Sequence, residues 1–131
     1  MKFKGLDGKT YAANLIGRVD QECSKLHQRG REFLQKAFPM DEILEEVLLP
    51  GAGGLIADFI IPFRKMVIEC QGEQHFQYTK RFHNNILQLG KQFQRDDKKK
   101  HWCKINGFEI IYFNHDEKEN DWRDKIYGSV E

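Results

Sequence analysis

Between Leu55 and Cys70 the chain passes through two apolar stretches, Leu55-Ile56-Ala57-Asp58-Phe59-Ile60-Ile61 and Met66-Val67-Ile68-Glu69-Cys70, and each carries one carboxylate. A carboxylate buried among apolar side chains is costly unless it is paired or holds a cation. Phe63-Arg64-Lys65 lies between the stretches as a turn, so they read as neighbouring strands, Leu55 to Pro62 and Met66 to Cys70. Neighbouring strands can deliver Asp58 and Glu69 to one place. Met66-Val67-Ile68 is apolar without alternation, which predicts a strand covered on both faces at the centre of a sheet.

The segments around this pair complete the layout. Asp7-Gly8, set between β-compatible residues, is a hairpin signal and predicts a small ribbon over residues 1–18 ahead of one domain at 19–131. From about Asp20, Cys23, Leu26, Gly30, Phe33, Leu34 and Ala37 recur at helical spacing as far as Phe38-Pro39. Ile43 to Leu49 reads as a further strand, closed by Pro50-Gly51. Residues 76–90 have no clean periodicity and read as a loop leading into a helix; a charged helix follows from about Lys91 to Asn106. Asn106-Gly107 stops that helix in a left-handed turn, and Phe108 to Phe113 then reads as a strand. Trp122 and Ile126, four apart, predict a short last helix. The expected class is α/β: helix, three strands, helix, strand, in a mixed sheet flanked by helices.

Composition narrows the function classes. The 131 residues suit one domain, 31% of them are charged, and no apolar run is long enough to cross a membrane. The opening MKFKGLDGKTYAANL has no secretory pattern, so a cytoplasmic location is expected. Cys23, Cys70 and Cys103 are too few and too widely spaced for a disulfide framework or a zinc knuckle. A net charge of +1 conceals an acidic segment at 41–58, without a single base, and a basic one at 77–107. That asymmetry suits a metal site facing a polyanion, although a lysine-rich helix is also what a solvated surface looks like.

Taken singly, Asp58 or Glu69 is best explained by a buried bridge to Lys or Arg. Taken together, with Gln71 two residues beyond Glu69 and so on the same strand face, they point to a hard divalent cation held by oxygen ligands: Asp58, Glu69 and the Cys70 carbonyl, with Mg²⁺ or Mn²⁺ as the ion. The phosphate contacts expected on the basic side are Lys80, Arg81, Arg95, Lys98, Lys99, Lys100 and Lys104. Phe76, Tyr78 and Phe82 interleave with Lys80 and Arg81; packing is the preferred role for Phe82. Trp102 is expected to anchor its helix to the sheet.

The pattern Asp58, then Glu69-Cys70-Gln71, resembles the D…ExK signature of the PD-(D/E)XK, or restriction-endonuclease-like, nucleases. The runs DFIIPFRKMVIECQGEQHF and QRDDKKKHWCKINGFEIIYF resemble the very-short-patch-repair endonuclease branch and its phage homing-endonuclease relatives, over roughly residues 20 to 115. The resemblance implies a restriction-endonuclease-like core and a Mg²⁺-dependent endonuclease acting on DNA; for a domain this small a monomer, a homodimer and an assembly with a partner all stay open. It implies that Asp58 is the principal metal-binding acid, that Glu69 is the second-strand acid, and that Gln71 stands where the family has lysine. From the very-short-patch branch it further implies Glu32, His75 and Asp96 in the active site, with Glu42, Glu45 and Glu46 competing for the place of Glu32, and Asp97 fitting the later aspartate as loosely as Asp96 does. Gln71 cannot act as a base, so that role is expected to fall to His75 or to water. The competing expectations are a DNA-binding protein of this fold without cleavage, a junction or mismatch nuclease, and a subunit of a larger complex.

Overall fold

The computed structural model describes residues 1–18, 23–72 and 82–128, the side chains of 82–93 excepted. Two short strands, β1 (Lys2–Lys4) and β2 (Thr10–Ala12), pair antiparallel around the Asp7-Gly8 turn. Helix α1 (Lys25–Ala37) follows, then β3 (Leu44–Leu48), β4 (Ile56–Ile61), a 3-10 turn (Pro62–Arg64) and β5 (Met66–Gln71). Helix α2 (Phe82–Ile105), β6 (Glu109–Asn114) and α3 (Glu119–Gly128) complete the described chain. The main sheet has the order β3-β4-β5-β6, with β6 parallel to β5 and the other pairs antiparallel. This is the mixed α/β sheet with helices that the sequence predicts.

Two boundaries differ from expectation. Helix α1 begins at Lys25 because Ser24 caps it, its hydroxyl accepting from the His27 N–H at 3.1 Å. Helix α2 begins at Phe82, so residues 82–90 are helical and belong to the charged helix expected only from Lys91. Sequence periodicity fails there because polar residues and Gly90 dilute the apolar spacing. The helix stops where expected, and Gly107 takes φ +73°.

Side chains alternate along β5 and divide the interior into two cores. Met66 and Ile68 face a core built with Leu26, Phe33 and Leu34 of α1 and Trp122 and Ile126 of α3. Val67 faces the opposite core, with Trp102 and Cys103 of α2 and Phe3 of the ribbon. The sheet is therefore covered on both sides, and Met66 through Glu69 are all buried. Among the described residues no helix is long and apolar enough to cross a membrane.

Each layer is fixed by a specific contact. Trp102 is fully buried and its indole N–H donates to the Pro50 carbonyl at 2.8 Å, anchoring α2 as expected. On the other side, the Glu45 carboxylate accepts from Arg31 Nε at 2.8 Å and Arg31 Nη2 at 2.7 Å, and lies 2.8 Å from His27 Nε2. Burial pushes the Glu45 carboxyl up, but the Arg31 and His27 contacts outweigh it and hold the group below its ordinary range. The His27 ring also stacks on Phe59, 4.4 Å between centroids, so one clamp ties α1 to both β3 and β4.

The ribbon docks through a close approach of two glycines. Leu6 N–H donates to the Gly51 carbonyl at 2.9 Å, and a Cβ on Gly51 would stand 2.6 Å from both Gly5 Cα and the Tyr11 ring. Gly51 also holds φ +74°, whereas Gly53, at φ +66°, has nothing within 4 Å of its would-be Cβ. Gly53→Ala should therefore carry only the left-handed backbone cost of about 1–2 kcal/mol. Gly51→Ala should cost about 1–3 kcal/mol more in urea unfolding, because the ribbon must move as well. Equal losses for the two variants would show that the ribbon adds nothing to stability.

Candidate active site

The ladder between β4 and β5 pairs Ile61 with Met66, Ile60 with Val67 and Phe59 with Ile68, and goes no further. The next residues along are Asp58 and Glu69. Here side chains take over from the backbone: the Asp58 N–H donates to Glu69 Oε2 at 2.8 Å, and the Cys70 N–H donates to Asp58 Oδ2 at 2.8 Å. Two strands that part leave N–H donors without ladder partners, and buried donors demand acceptors. The two carboxylates meet that demand and are thereby held side by side.

Glu69 lies on the Val67 face of β5, toward α2, and is only 6% exposed. Its other oxygen, Oε1, accepts from Lys99 Nζ at 2.5 Å. Lys99 is half-buried, and it shares a helical stripe with Asp96 at i−3 and the buried Cys103 at i+4. Its neighbours Lys98 and Lys100 are exposed. The lysine grouped with the phosphate contacts on the sequence thus points inward onto the acid pair. Burial pushes the Glu69 carboxyl up to about 7, with the Asp58 charge adding to the rise and Lys99 opposing it.

Next to Glu69 in the parallel register stands Tyr112, and next to Gln71 stands Asn114. Glu69 and Gln71 share a face of β5, as expected from their spacing, and Gln71 is half-buried. The Tyr112 hydroxyl is buried without a hydrogen-bond partner among the described residues. Burial raises its pKa, and the charges of Asp96 and Glu69 raise it further, which places both acids within electrostatic reach of the phenol. Lys100 Nζ lies 5.4 Å from the centre of the Tyr112 ring. No sequence motif marks Tyr112; only the β5–β6 register brings it to Glu69.

The expected site residues therefore divide into groups. Asp58 and Glu69 are brought together, with Gln71 on the same strand and Asp96 one turn from Lys99. Glu32 is exposed on α1 in a groove toward α3, with Arg29, Lys36 and Arg123, and it makes no contact with the acid pair. Of its competitors, Glu45 is committed to Arg31 and His27, and Glu46 holds a left-handed φ of 49° on β3. His75, Lys80, Arg81, Phe76 and Tyr78, and the Phe82 side chain, lie outside the described residues. Arg95 and Lys98 project toward the N-terminal ribbon, and Lys104 is exposed in the last turn of α2.

No group of three or more His, Cys, Asp or Glu side chains among the described residues is arranged to hold a metal ion. The two carboxylates fit a looser requirement. Mg²⁺ is commonly held by one or two carboxylates and otherwise by water and substrate phosphate, so Asp58 and Glu69 supply the protein's share of such a site. No protein-family model, no curated protein and no solved structure matches the chain.

The raised Glu69 pKa makes a signed prediction. A carboxyl whose folded pKa exceeds its unfolded value of 4.5 binds its proton more tightly in the native state. Its contribution to stability is fully present below pH 4.5 and is lost as the pH rises through about 7. Glu69→Gln should therefore flatten the decline in urea-unfolding free energy between pH 5 and 8, and Lys99→Met should steepen it. Parallel pH profiles for the native chain and Glu69→Gln would overturn this assignment.

Proposed function

We propose that this chain is a metal-dependent endonuclease acting on DNA, built on a restriction-endonuclease-like core, with Asp58, Glu69 and Lys99 at its centre. The observation that carries the reading is the meeting of two carboxylates at the point where β4 and β5 part, with an ammonium at hydrogen-bond distance from one of them. Asp58 and Glu69, with the Cys70 carbonyl, would hold Mg²⁺ or Mn²⁺. The ion, when bound, supplies Lewis acidity toward a phosphodiester and acidifies water at neutral pH.

The protein's own residues supply the remainder. Lys99 supports the ionised form of Glu69 against the burial that favours the neutral acid. Its ammonium offers three donors, of which one goes to Glu69, so it can also bind a phosphate oxygen or orient water. That assigns to Lys99, reaching in from α2, the charge that Gln71 cannot carry on β5. His75 stays in the proposal as the proton acceptor, and Asp96 as the acid on the stripe of Lys99. Arg95, Lys98, Lys100 and Lys104, all exposed on α2, bind backbone phosphates without regard to sequence.

One observation favours a second reading. The Glu69–Lys99 contact is already a complete ion pair with 7% and 17% of the side chains exposed, so the acid pair can persist with no added cation. A DNA-binding protein without cleavage would keep that arrangement.

Asp58→Asn separates the two. The amide oxygen can still accept from the Cys70 N–H, so the fold should survive, as checked by circular dichroism. Mg²⁺-dependent nicking of supercoiled plasmid should disappear while DNA affinity is retained. Lys99→Met should lower the nicking rate about 10²–10³-fold, the usual loss when one preorganised charge-stabilising donor is removed. Undiminished cutting by Asp58→Asn would refute the assignment, and a native chain that binds DNA but never cuts with Mg²⁺ or Mn²⁺ would establish the second reading.

A further inference from the structure

A groove of about 700 Å³ runs between the docked ribbon, the Pro50–Leu55 loop and α2. Leu6, Tyr11 and Leu55 form its apolar side, the Gly51–Gly53 backbone its base, and Arg95 and Lys98 its cationic side. Neither Arg95 nor Lys98 has an ion-pair partner among the described residues, and both are exposed. The one acid in the described lining, Asp7, has its two oxygens on the Tyr11 hydroxyl at 2.5 Å and the Lys9 N–H at 3.0 Å. The groove thus presents an apolar wall opposite two cations, and with the one Asp7 carboxylate its described lining keeps a net positive charge.

Its walls are fixed in advance. Phe3 stacks on Trp102 with 5.7 Å between centroids, and Asn106 bonds the Lys4 backbone in both directions, at 2.8 Å and 2.9 Å. A preformed groove avoids much of the ordering cost of binding. It also shares α2 with the proposed chemistry, Arg95 and Lys98 lining the groove and Lys99 meeting Glu69.

We infer that this groove holds an unpaired nucleotide of the nucleic-acid substrate, its base against Leu6, Tyr11 and Leu55 and its flanking phosphates on Arg95 and Lys98. The inference rests on the nuclease reading and specifies its substrate class: DNA with a single-stranded segment beside the cut. Charge complementarity selects a polyanion, and the apolar wall selects among polyanions. Bases within a duplex are stacked on each other and offer no apolar face to that wall, whereas an unpaired base offers one to any side chain that can pack against it.

The test measures binding of the native chain in EDTA, by fluorescence anisotropy, to three fluorescein-labelled DNAs: a blunt duplex, the same duplex with a single-stranded arm, and a single strand. The armed duplex and the single strand should bind at least about fivefold more tightly than the blunt duplex, the low end of what stacking one base contributes. Arg95→Gln/Lys98→Gln, at exposed positions that leave the fold intact, should reduce the slope of log affinity against log salt for the single strand by about 1.4. Leu6→Ser, with its fold verified by circular dichroism, should abolish the preference for unpaired DNA while leaving duplex affinity in place. Equal affinity for the three DNAs, or an unchanged preference and salt slope in these variants, overturns the inference. If Mg²⁺-dependent, Asp58-dependent cleavage persists alongside equal affinities, the groove assignment alone falls. If no DNA is bound and none is cut, the nuclease reading falls with it.

Discussion

The arrangement of the molecule depends on one discontinuity: β4 and β5 stop pairing after Phe59 and Ile68, and two carboxylates stand where the next backbone bonds would be. A sheet that stayed paired would satisfy the Asp58 and Cys70 N–H groups through the ladder and would need no acid there. Once the strands part, an apolar side chain at either position would leave a donor without an acceptor in a poorly solvated place. The carboxylates therefore have a structural duty that is independent of any ligand. The same duty sets them side by side and aims Glu69 at α2, which is also what a cation-binding pair requires.

The parting is supported from outside. On β3, Glu46 takes a left-handed φ of 49° opposite the same stretch of β4, while Glu45 beside it is clamped by Arg31 and His27. Val47 and Leu44, three apart, pack in the same core, as do Ala57 and Ile60 across from them. Regular alternation would put residues three apart on opposite faces, so both strands change face within one residue of Glu46 and Asp58. The His27 ring on Phe59 then secures the last fully paired residue of β4 before the break. Acids at 45, 46, 58 and 69 thus take part in one irregularity shared by three strands, and only the last two present their carboxylates to each other.

Much of this was legible in the sequence because it rests on local pattern. Strands broken by Asp58 and Glu69, the buried Met66-Val67-Ile68 run, the Trp102 anchor, and the helix carrying Trp122 and Ile126 all follow from apolar spacing and turn residues. What was not legible depends on register or on docking. Tyr112 reaches Glu69 only through the parallel β5–β6 pairing, and the ribbon becomes part of the core only because two glycines forty-six positions apart touch. Glu32 was placed by resemblance alone, and on α1 it faces α3. Lys99 is the instructive case: Lys98-Lys99-Lys100 looks uniform as a run of charge, yet only Lys99 lies three and four residues before Trp102 and Cys103, on the face that packs. Helical phase separates it from its neighbours, and charge composition hides it.

The position of Lys99 also links the acid pair to the docking of α2. A lysine at position 71 would belong to β5 and would accompany Glu69 whenever the strand formed. An ammonium brought in on a helix is present only when that helix is seated, and α2 is seated by Trp102 on Pro50, with Phe3 of the ribbon stacked against the same indole. Without the helix, Glu69 would lose together the cover that buries it and the Lys99 ammonium, two influences that act on its carboxyl in opposite senses. Packing of the ribbon and α2, on the far side of the sheet from the Arg31 clamp, therefore sets both the burial of Glu69 and its contact with Lys99. The ribbon that walls the groove thus also helps to hold Lys99 in reach of Glu69, so a change in its docking should be felt at both places through one physical contact, the Phe3 ring on Trp102.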